Sequence, residues 1–129
     1  MESRIFNRHF TREEANAVLP FIAPLLLRIR TALADLAQNR EEVIKALQRQ
    51  QTNGKPMDPK LVSLLDRLQS LTEEVESYGC IIKDHLNGIV DFPAMLDGEE
   101  VFLCWKYGEE EVCHYHPLDG GFDQRQPLP

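Results

Sequence analysis

The spacing of apolar residues changes once along this chain, at Gly79, and this change sets the fold class. Before Gly79 apolar side chains recur every three or four residues, as in an amphipathic helix; after it they alternate, as in a half-buried strand. A helical half followed by a strand half is typical of α+β proteins. At 129 residues, the chain is predicted to form a single domain, residues 1–129, with helices in about 11–78 and a sheet and tail in about 79–129.

The first helix is predicted to begin after Thr11, because Thr11 and Glu14 have the spacing of a capping box. Pro20 and Pro24 follow within the helical pattern. Each removes one intrahelical hydrogen bond, so we expect a kink or a short break near Leu19. Beyond the prolines, one apolar stripe continues to about residue 50 and consists of Leu26, Ile29, Leu33, Leu36, Val43 and Leu47.

A second helix is predicted to begin at Asp58, a good N-cap, with Pro59 in the first turn, and to end at Gly79. Its stripe matches the first and consists of Leu61, Leu64, Leu68, Leu71, Val75 and Tyr78. Two such stripes joined by the polar segment 50–56 predict a long antiparallel helical hairpin. The first helix is the longer, so part of its stripe is available to a second copy of the chain or to a partner helix, in the manner of a coiled coil.

Turn signals divide the C-terminal third into a predicted four-stranded antiparallel β-meander. The turns are Asn87-Gly88, Asp97-Gly98 and Gly108-Glu109, and the strands between them are 80–83, 89–92, 100–107 and 111–116. Pro93 is expected to end the second strand or to confine it to an edge. Residues 117–129 are predicted to form an irregular tail.

Composition limits the partners and the compartment. A formal net charge of -7 argues against a nucleic-acid partner. Three cysteines without a CxxC spacing favour a reducing compartment. The longest apolar run, 17–27, is too short to cross a membrane, and the N-terminus has no signal-peptide pattern. We therefore expect a cytoplasmic protein without a membrane partner.

Two sets of residues resemble a family of small bacterial proteins, Domain of Unknown Function 2203. The first set is residues 10–20. The second lies in the C-terminal third and comprises Lys83-Asp84, residues 88–94, Gly98, residues 103–106, Gly108-Glu109, His116, Gly121-Phe122, Arg125 and Pro127. The resemblance implies no activity. Similar sequences usually have Trp-His where this chain has Tyr115-His116, and an aromatic or aliphatic residue at the position of His114.

One candidate site is a ligand pocket built from Trp105, Glu109, His116 and Arg125, with Asp91 nearby. Trp105 offers an aromatic face, Arg125 a fork for a carboxylate or phosphate, and His116 a group that titrates near neutral pH. Such a pocket suits a small anionic ligand, or acid–base chemistry by His116 with Glu109. The structural alternative is that Arg125 ties the tail down through a salt bridge to Asp91, Glu109 or the Glu13-Glu14 pair.

A second candidate is a divalent transition-metal site, zinc first, formed by His114 and His116. Residues two apart on a strand share a face, so both imidazoles can reach one ion, with Glu109 or Asp91 as a third ligand. The alternative is that the two histidines form the solvated face of an edge strand. A thiol pair is a third candidate: a two-residue turn at 108–109 would set Cys104 opposite Cys113, although buried cysteines mostly act as small apolar residues.

These features favour a non-enzymatic interaction or scaffold protein that uses its helical hairpin. The alternative is a small metal- or anion-binding protein, perhaps hydrolytic, with its site around Trp105, Glu109, His116 and Arg125.

Overall fold

The computed structural model of the chain describes residues 4–41, 44–45, 48 and 58–129. These residues form two helices and one five-stranded antiparallel sheet, so the α+β class is confirmed. The elements are α1 (Arg12–Gln38), α2 (Pro59–Glu76), β1 (Ile81–Asp84), β2 (Ile89–Leu96), β3 (Glu99–Lys106), β4 (His114–Pro117) and β5 (Gln126–Pro127), with one 3-10 turn at Phe122–Gln124. The predicted linker, 50–56, and the stripe positions Val43 and Leu47 lie outside the described residues.

The predicted capping box begins α1. The Thr11 hydroxyl accepts a hydrogen bond from the Glu14 N–H (3.1 Å), and the Glu14 carboxylate accepts one from the Thr11 N–H (2.9 Å). The helix then continues through Pro20 and Pro24, so no break occurs near Leu19. Buried side chains on both sides of the prolines, such as Leu19 and Ile22, hold α1 in the core and outweigh the lost backbone bonds. The kink stays a prediction.

α2 begins and ends at the predicted signals. The Asp58 carboxylate accepts a hydrogen bond from the Lys60 N–H (2.8 Å), Pro59 is the first helical residue, and Gly79 follows the helix with a φ of +101°. α2 packs against α1 and buries Leu61, Leu71 and Val75. The antiparallel hairpin, whose connection lies in the part of the chain that is not described, stays a prediction.

The sheet has the order β1-β2-β3-β4-β5, one strand more than predicted. The tail is therefore not wholly irregular, because Gln126–Pro127 pairs with β4. The Leu128 N–H donates to the Cys113 carbonyl (2.8 Å), and the Tyr115 hydroxyl donates to the Gln126 side chain (3.0 Å). These long-range bonds carry no local sequence signal, which is why the fifth strand was not predicted.

Pro93 neither ends β2 nor sets it at an edge: β2 continues to Leu96 between β1 and β3. The expectation is wrong because β1 pairs with β2 only as far as Asp91. At Pro93, two residues further along, β2 has no strand neighbour on that side. The Pro93 carbonyl accepts a hydrogen bond from the Phe10 N–H (2.7 Å). The N–H and C=O of a strand residue point to the same side of the strand. The missing N–H of Pro93 would therefore point to the side of β2 where Phe10 lies and β1 does not reach, so no hydrogen bond between strands is lost.

The β3–β4 connection is a wide loop, residues 107–113, and not the predicted two-residue turn. The indole N–H of Trp105 donates to the Glu109 carbonyl (3.0 Å), and the Glu109 carboxylate accepts the Lys106 N–H (2.7 Å). These two bonds stabilise the wide loop and shift the register. As a result Cys104 lies opposite His114, and the thiol pair that a two-residue turn would have formed, Cys104 opposite Cys113, does not occur.

The two faces of the sheet have different environments, because successive strand residues point to opposite sides. We call the side that packs in the main hydrophobic core the helix face; it includes Val90, Phe92, Val101, Leu103 and Trp105. The opposite side, the outer face, carries Asp91, Phe102, Cys104, His114 and His116. The N-terminal segment, residues 4–10, reaches this face through a contact of Phe6 with Phe102 (ring centroids 5.4 Å apart).

By length and composition alone, α1 would suffice to cross a membrane. Core helices and N-terminal signal sequences pass the same test, and α1 here buries one side in the protein core. The finding is weak evidence about location.

Candidate functional site

A buried carboxylate–imidazole pair lies on the outer face. Asp91 in β2 and His116 in β4 are each only 1% exposed. Asp91 Oδ2 and His116 Nε2 are 2.8 Å apart across β3, which separates the two strands. Charged groups are rarely buried unless they are paired, and these two are 25 residues apart in sequence, so the strand order creates the pair.

The surroundings of His116 determine where the protons of the pair lie. Nδ1 is 2.7 Å from the Pro117 carbonyl, which can only accept, so Nδ1 carries a hydrogen. Two arrangements are then consistent with the contact to Asp91. Either a protonated His116 donates from Nε2 to the Asp91 carboxylate, or a protonated Asp91 donates to the neutral Nε2. In both cases one proton lies between Nε2 and Oδ2, and the pair has no net charge.

Cys104 completes a cluster of three potential metal ligands. The thiol is fully buried, and one donor atom from each of Asp91, Cys104 and His116 lies within 4.8 Å of the other two. Burial, followed by the negative charge of Asp91, raises the pKa of the Cys104 thiol to about 12. Burial also raises the pKa of Asp91, while the charge of His116 and a contact with the Cys104 thiol oppose that rise.

Two buried polar atoms of the outer face lack a protein partner with good hydrogen-bond geometry. They are Oδ1 of Asp91 and Nδ1 of His114, and the described part of the chain has no other such side-chain nitrogen or oxygen. Asp91 and His114 lie opposite Cys104 on its two sides. A buried unpaired polar atom costs roughly 1–3 kcal/mol, so we expect the Asp91 oxygen to have a partner, either the neighbouring Cys104 thiol or a group from outside the protein.

A cavity of about 280 Å³ gives access to this cluster. Asp91 and His116 line it together with Lys83 and with the segment Gly120–Phe122. The Lys83 ammonium group lies 4.8 Å from the centre of the Phe102 ring, which in turn packs beside His116 (centroids 5.6 Å apart). Asp91 and His116 are therefore buried but border a cavity, whereas Cys104 is not among the residues that line it.

The predicted pocket residues divide between two environments. His116 and Asp91 are in direct contact on the outer face, whereas Trp105 points into the core on the helix face. Nη1 of Arg125 donates to both carboxylate oxygens of Glu109 (3.0 and 3.1 Å), so Arg125 forms one of the salt bridges expected of a structural role. The Arg125 guanidinium also stacks on Phe122 at 4.1 Å. Phe122 lines the cavity, so this pair stabilises its wall, while Trp105 takes no part in it.

A second cavity, about 400 Å³, lies beside Trp105 between α1 and the β3–β4 loop. Its main polar groups already have partners. The Asn16 side chain accepts the Val112 N–H (2.7 Å), and the Glu109 carboxylate binds Arg125. Its other two polar residues, Glu110 and Glu111, are exposed carboxylates, so this cavity holds no buried cluster of donor atoms like that of the outer face.

The ligand set predicted for a metal also changes. His116 belongs to the cluster, but Glu109 is held by Arg125 and by the Lys106 N–H, and neither Glu109 nor His114 lies within the 4.8 Å group. Cys104 takes the third position, and sequence reasoning assigned it no ligand role. One signal was available: Asp91 interrupts the apolar run between Val90 and Phe92, and a charge inside a central strand indicates buried polar partners.

The protein is thus an α+β protein with an acid–thiol–imidazole cluster on the outer face of its sheet. It belongs to the family described as uncharacterized conserved protein (DUF2203), whose family model matches residues 8–128. Asp91, Cys104 and His116 all fall among the residues that carried the resemblance. No curated protein and no solved structure matched the chain.

Proposed function

We propose that this protein binds a divalent transition metal, zinc first, through Asp91, Cys104 and His116. The observation that carries the proposal is the grouping of three different donors within 4.8 Å of one another, in which the buried Oδ1 of Asp91 has no described partner with good hydrogen-bond geometry. Carboxylate, thiolate and imidazole are the three ligand types that zinc prefers, and three protein ligands with one open position are typical of catalytic zinc sites.

The hydrogen bond from His116 Nδ1 to the Pro117 carbonyl supports this proposal. Metal-binding histidines usually donate their other ring N–H to a carbonyl or carboxylate, which fixes the tautomer and aims the free nitrogen at the ion. Here the bond leaves Nε2 as the nitrogen aimed at Asp91 and Cys104. The ion would replace the proton between Nε2 and Oδ2.

The distances require only small movements. A tetrahedral ion with bonds of roughly 2.0–2.3 Å holds its donor atoms roughly 3.3–3.7 Å apart. The Asp91–His116 contact of 2.8 Å would therefore open slightly, and any donor pair near the 4.8 Å limit would close by about 1 Å. We expect rotation of the carboxylate and of the thiol about their side-chain bonds to make both changes.

Thermal unfolding with and without zinc tests this function. Zinc at 100 times its Kd stabilises the folded state by about 2.7 kcal/mol, so the melting temperature of the wild type should rise and fall back with chelator. Asp91→Asn should abolish the rise, and Asp66→Asn, at an exposed helical position, should retain it.

Circular dichroism checks that the Asp91 variant is folded. If it is not, Co²⁺ added to the wild type provides an independent result: a thiolate-to-cobalt charge-transfer band supports a Cys104 ligand. Absence of both the band and the zinc effect would refute the proposal.

A second candidate function is association through the helices, as an interaction or scaffold protein that pairs with another copy of itself. It is favoured by exposed apolar side chains on α1 and α2: Phe21 is 60% and Leu27 48% exposed, and Val62 and Leu65 are each 38% exposed. A mass in solution that stays monomeric at all concentrations would refute it. The cytoplasm, where thiols stay reduced, suits both functions.

A further inference from the structure

The outer cavity has one cation that is positioned to bind a ligand. Lys83 lines the cavity, and the acidic residue Asp84 lies beside it in the same lining. Both carboxylate oxygens of Asp84 accept hydrogen bonds from Asn87, from its backbone N–H (2.9 Å) and its side-chain amide (2.8 Å). Asp84 is therefore held by Asn87, and Lys83 forms no salt bridge with it or with any other described residue.

The charge of the complete centre follows from its ligands. A divalent ion bound by the Asp91 carboxylate and the Cys104 thiolate is neutral, since His116 contributes no charge as a ligand. Lys83 then contributes a positive charge that has no salt-bridge partner among the described residues, while the Asp84 carboxylate is held by Asn87. A group with a single negative charge can pair with the Lys83 ammonium group.

The size and walls of the cavity limit the ligand further. Its volume of about 280 Å³ is at the lower end of the roughly 300–1,000 Å³ typical of small-molecule sites. The two glycine N–H groups in its wall are already used, by Pro117 and Gln124. Phe122 and Ile89 supply apolar surface. The site therefore suits a small ligand with one charged end and an apolar remainder.

We propose that the centre binds a small carboxylate whose oxygens bridge the open metal position and the Lys83 ammonium group, an inference that rests on the proposed metal function. Lys83 is then a ligand-binding residue and not a metal ligand. Its removal should weaken carboxylate binding and leave the metal in place.

Calorimetric titration of the zinc-loaded protein with sodium propionate tests this inference, with the zinc content of each sample measured in parallel. Propionate should bind the wild type, and Lys83→Met should weaken binding about tenfold or more through the loss of a charge-assisted hydrogen bond. Lys106→Met is the matched control. The Lys106 amine lies over the Phe122 ring at 5.6 Å but does not line the cavity, so its loss should leave propionate affinity unchanged.

Inorganic phosphate distinguishes the two kinds of oxyanion. It should bind more weakly than propionate, because its charge and tetrahedral shape match the site less well; tighter binding of phosphate would overturn the carboxylate assignment. Zinc present with no propionate binding, or with equal binding in the two lysine variants, would refute this inference and leave the metal proposal standing. Absence of zinc from the wild type would refute both.

Discussion

Arg125→Met should release the C-terminal end of the chain while the rest of the protein stays folded. Arg125 connects this end to the β3–β4 loop through two contacts with Glu109, at 3.0 and 3.1 Å, and stacks on Phe122 at 4.1 Å. The side chains of the pair are 15% and 29% exposed, so the pair should contribute near the upper end for exposed ion pairs, about 1 kcal/mol. The stack adds about 0.5–1 kcal/mol.

A loss of about 1.5–2 kcal/mol corresponds to roughly 10–30-fold faster local opening. Amide hydrogen exchange at Leu128 measures this opening. Leu128 directly follows β5, and its N–H is bonded to the Cys113 carbonyl. Arg28→Met, at an exposed position on α1, is the control and should leave Leu128 unchanged. Equal exchange rates in the two variants would refute the role assigned to Arg125.

Three further predictions concern stability. Thr11→Ala removes the capping hydroxyl of α1 and should lower the free energy of unfolding by about 1 kcal/mol in chemical denaturation; no change would show that the cap is dispensable. Gly88→Ala should destabilise the protein more than Gly98→Ala. Both glycines have a positive φ, but of these two only at Gly88 would the new methyl group meet a neighbour, Tyr107 Cβ at 2.6 Å. Equal melting temperatures of the two variants would contradict this. Hydrogen bonds from His9 and from backbone amides of the N-terminal segment lower the pKa of Glu100 from 4.5 to about 2. A lowered pKa means that Glu100 stabilises the folded state at pH values above its unfolded pKa, and this stabilisation is lost as the pH falls through its folded pKa. An NMR titration should therefore show the N-terminal segment released near pH 2, and release near pH 4.5 would contradict the contact.

Local signals predicted the elements of this fold well. The capping box at Thr11, the Asp58 cap and the Gly79 stop each depend on a few neighbouring residues, and the structure has all three. The Asp97-Gly98 turn was also predictable, since Asp97 and Gly98 both adopt the positive φ that a tight hairpin requires.

Contacts across the sheet were not predictable in the same way. The register of β3 and β4 depends on how the loop around Glu109 closes, and a shift of one residue changes which side chains face each other. The Asp91–His116 contact additionally depends on the strand order. The sequence therefore identified His116 and Asp91 as candidate site residues. It could not show that Cys104 lies beside them or that Trp105 lies on the opposite face of the sheet.

The proposed metal centre depends on Cys104 as a ligand beside Asp91 and His116. Elemental analysis of purified protein from zinc-supplemented cells tests it through two matched variants, Cys104→Ser and Cys80→Ser. Both thiols are buried and both have a pKa raised to about 12 by burial, but Cys80 lies in the core and its thiol donates to the Val75 carbonyl. We expect about one zinc ion per chain in the wild type and in Cys80→Ser, and loss of zinc in Cys104→Ser. A metal-free wild type, or equal zinc in the two variants, would contradict it.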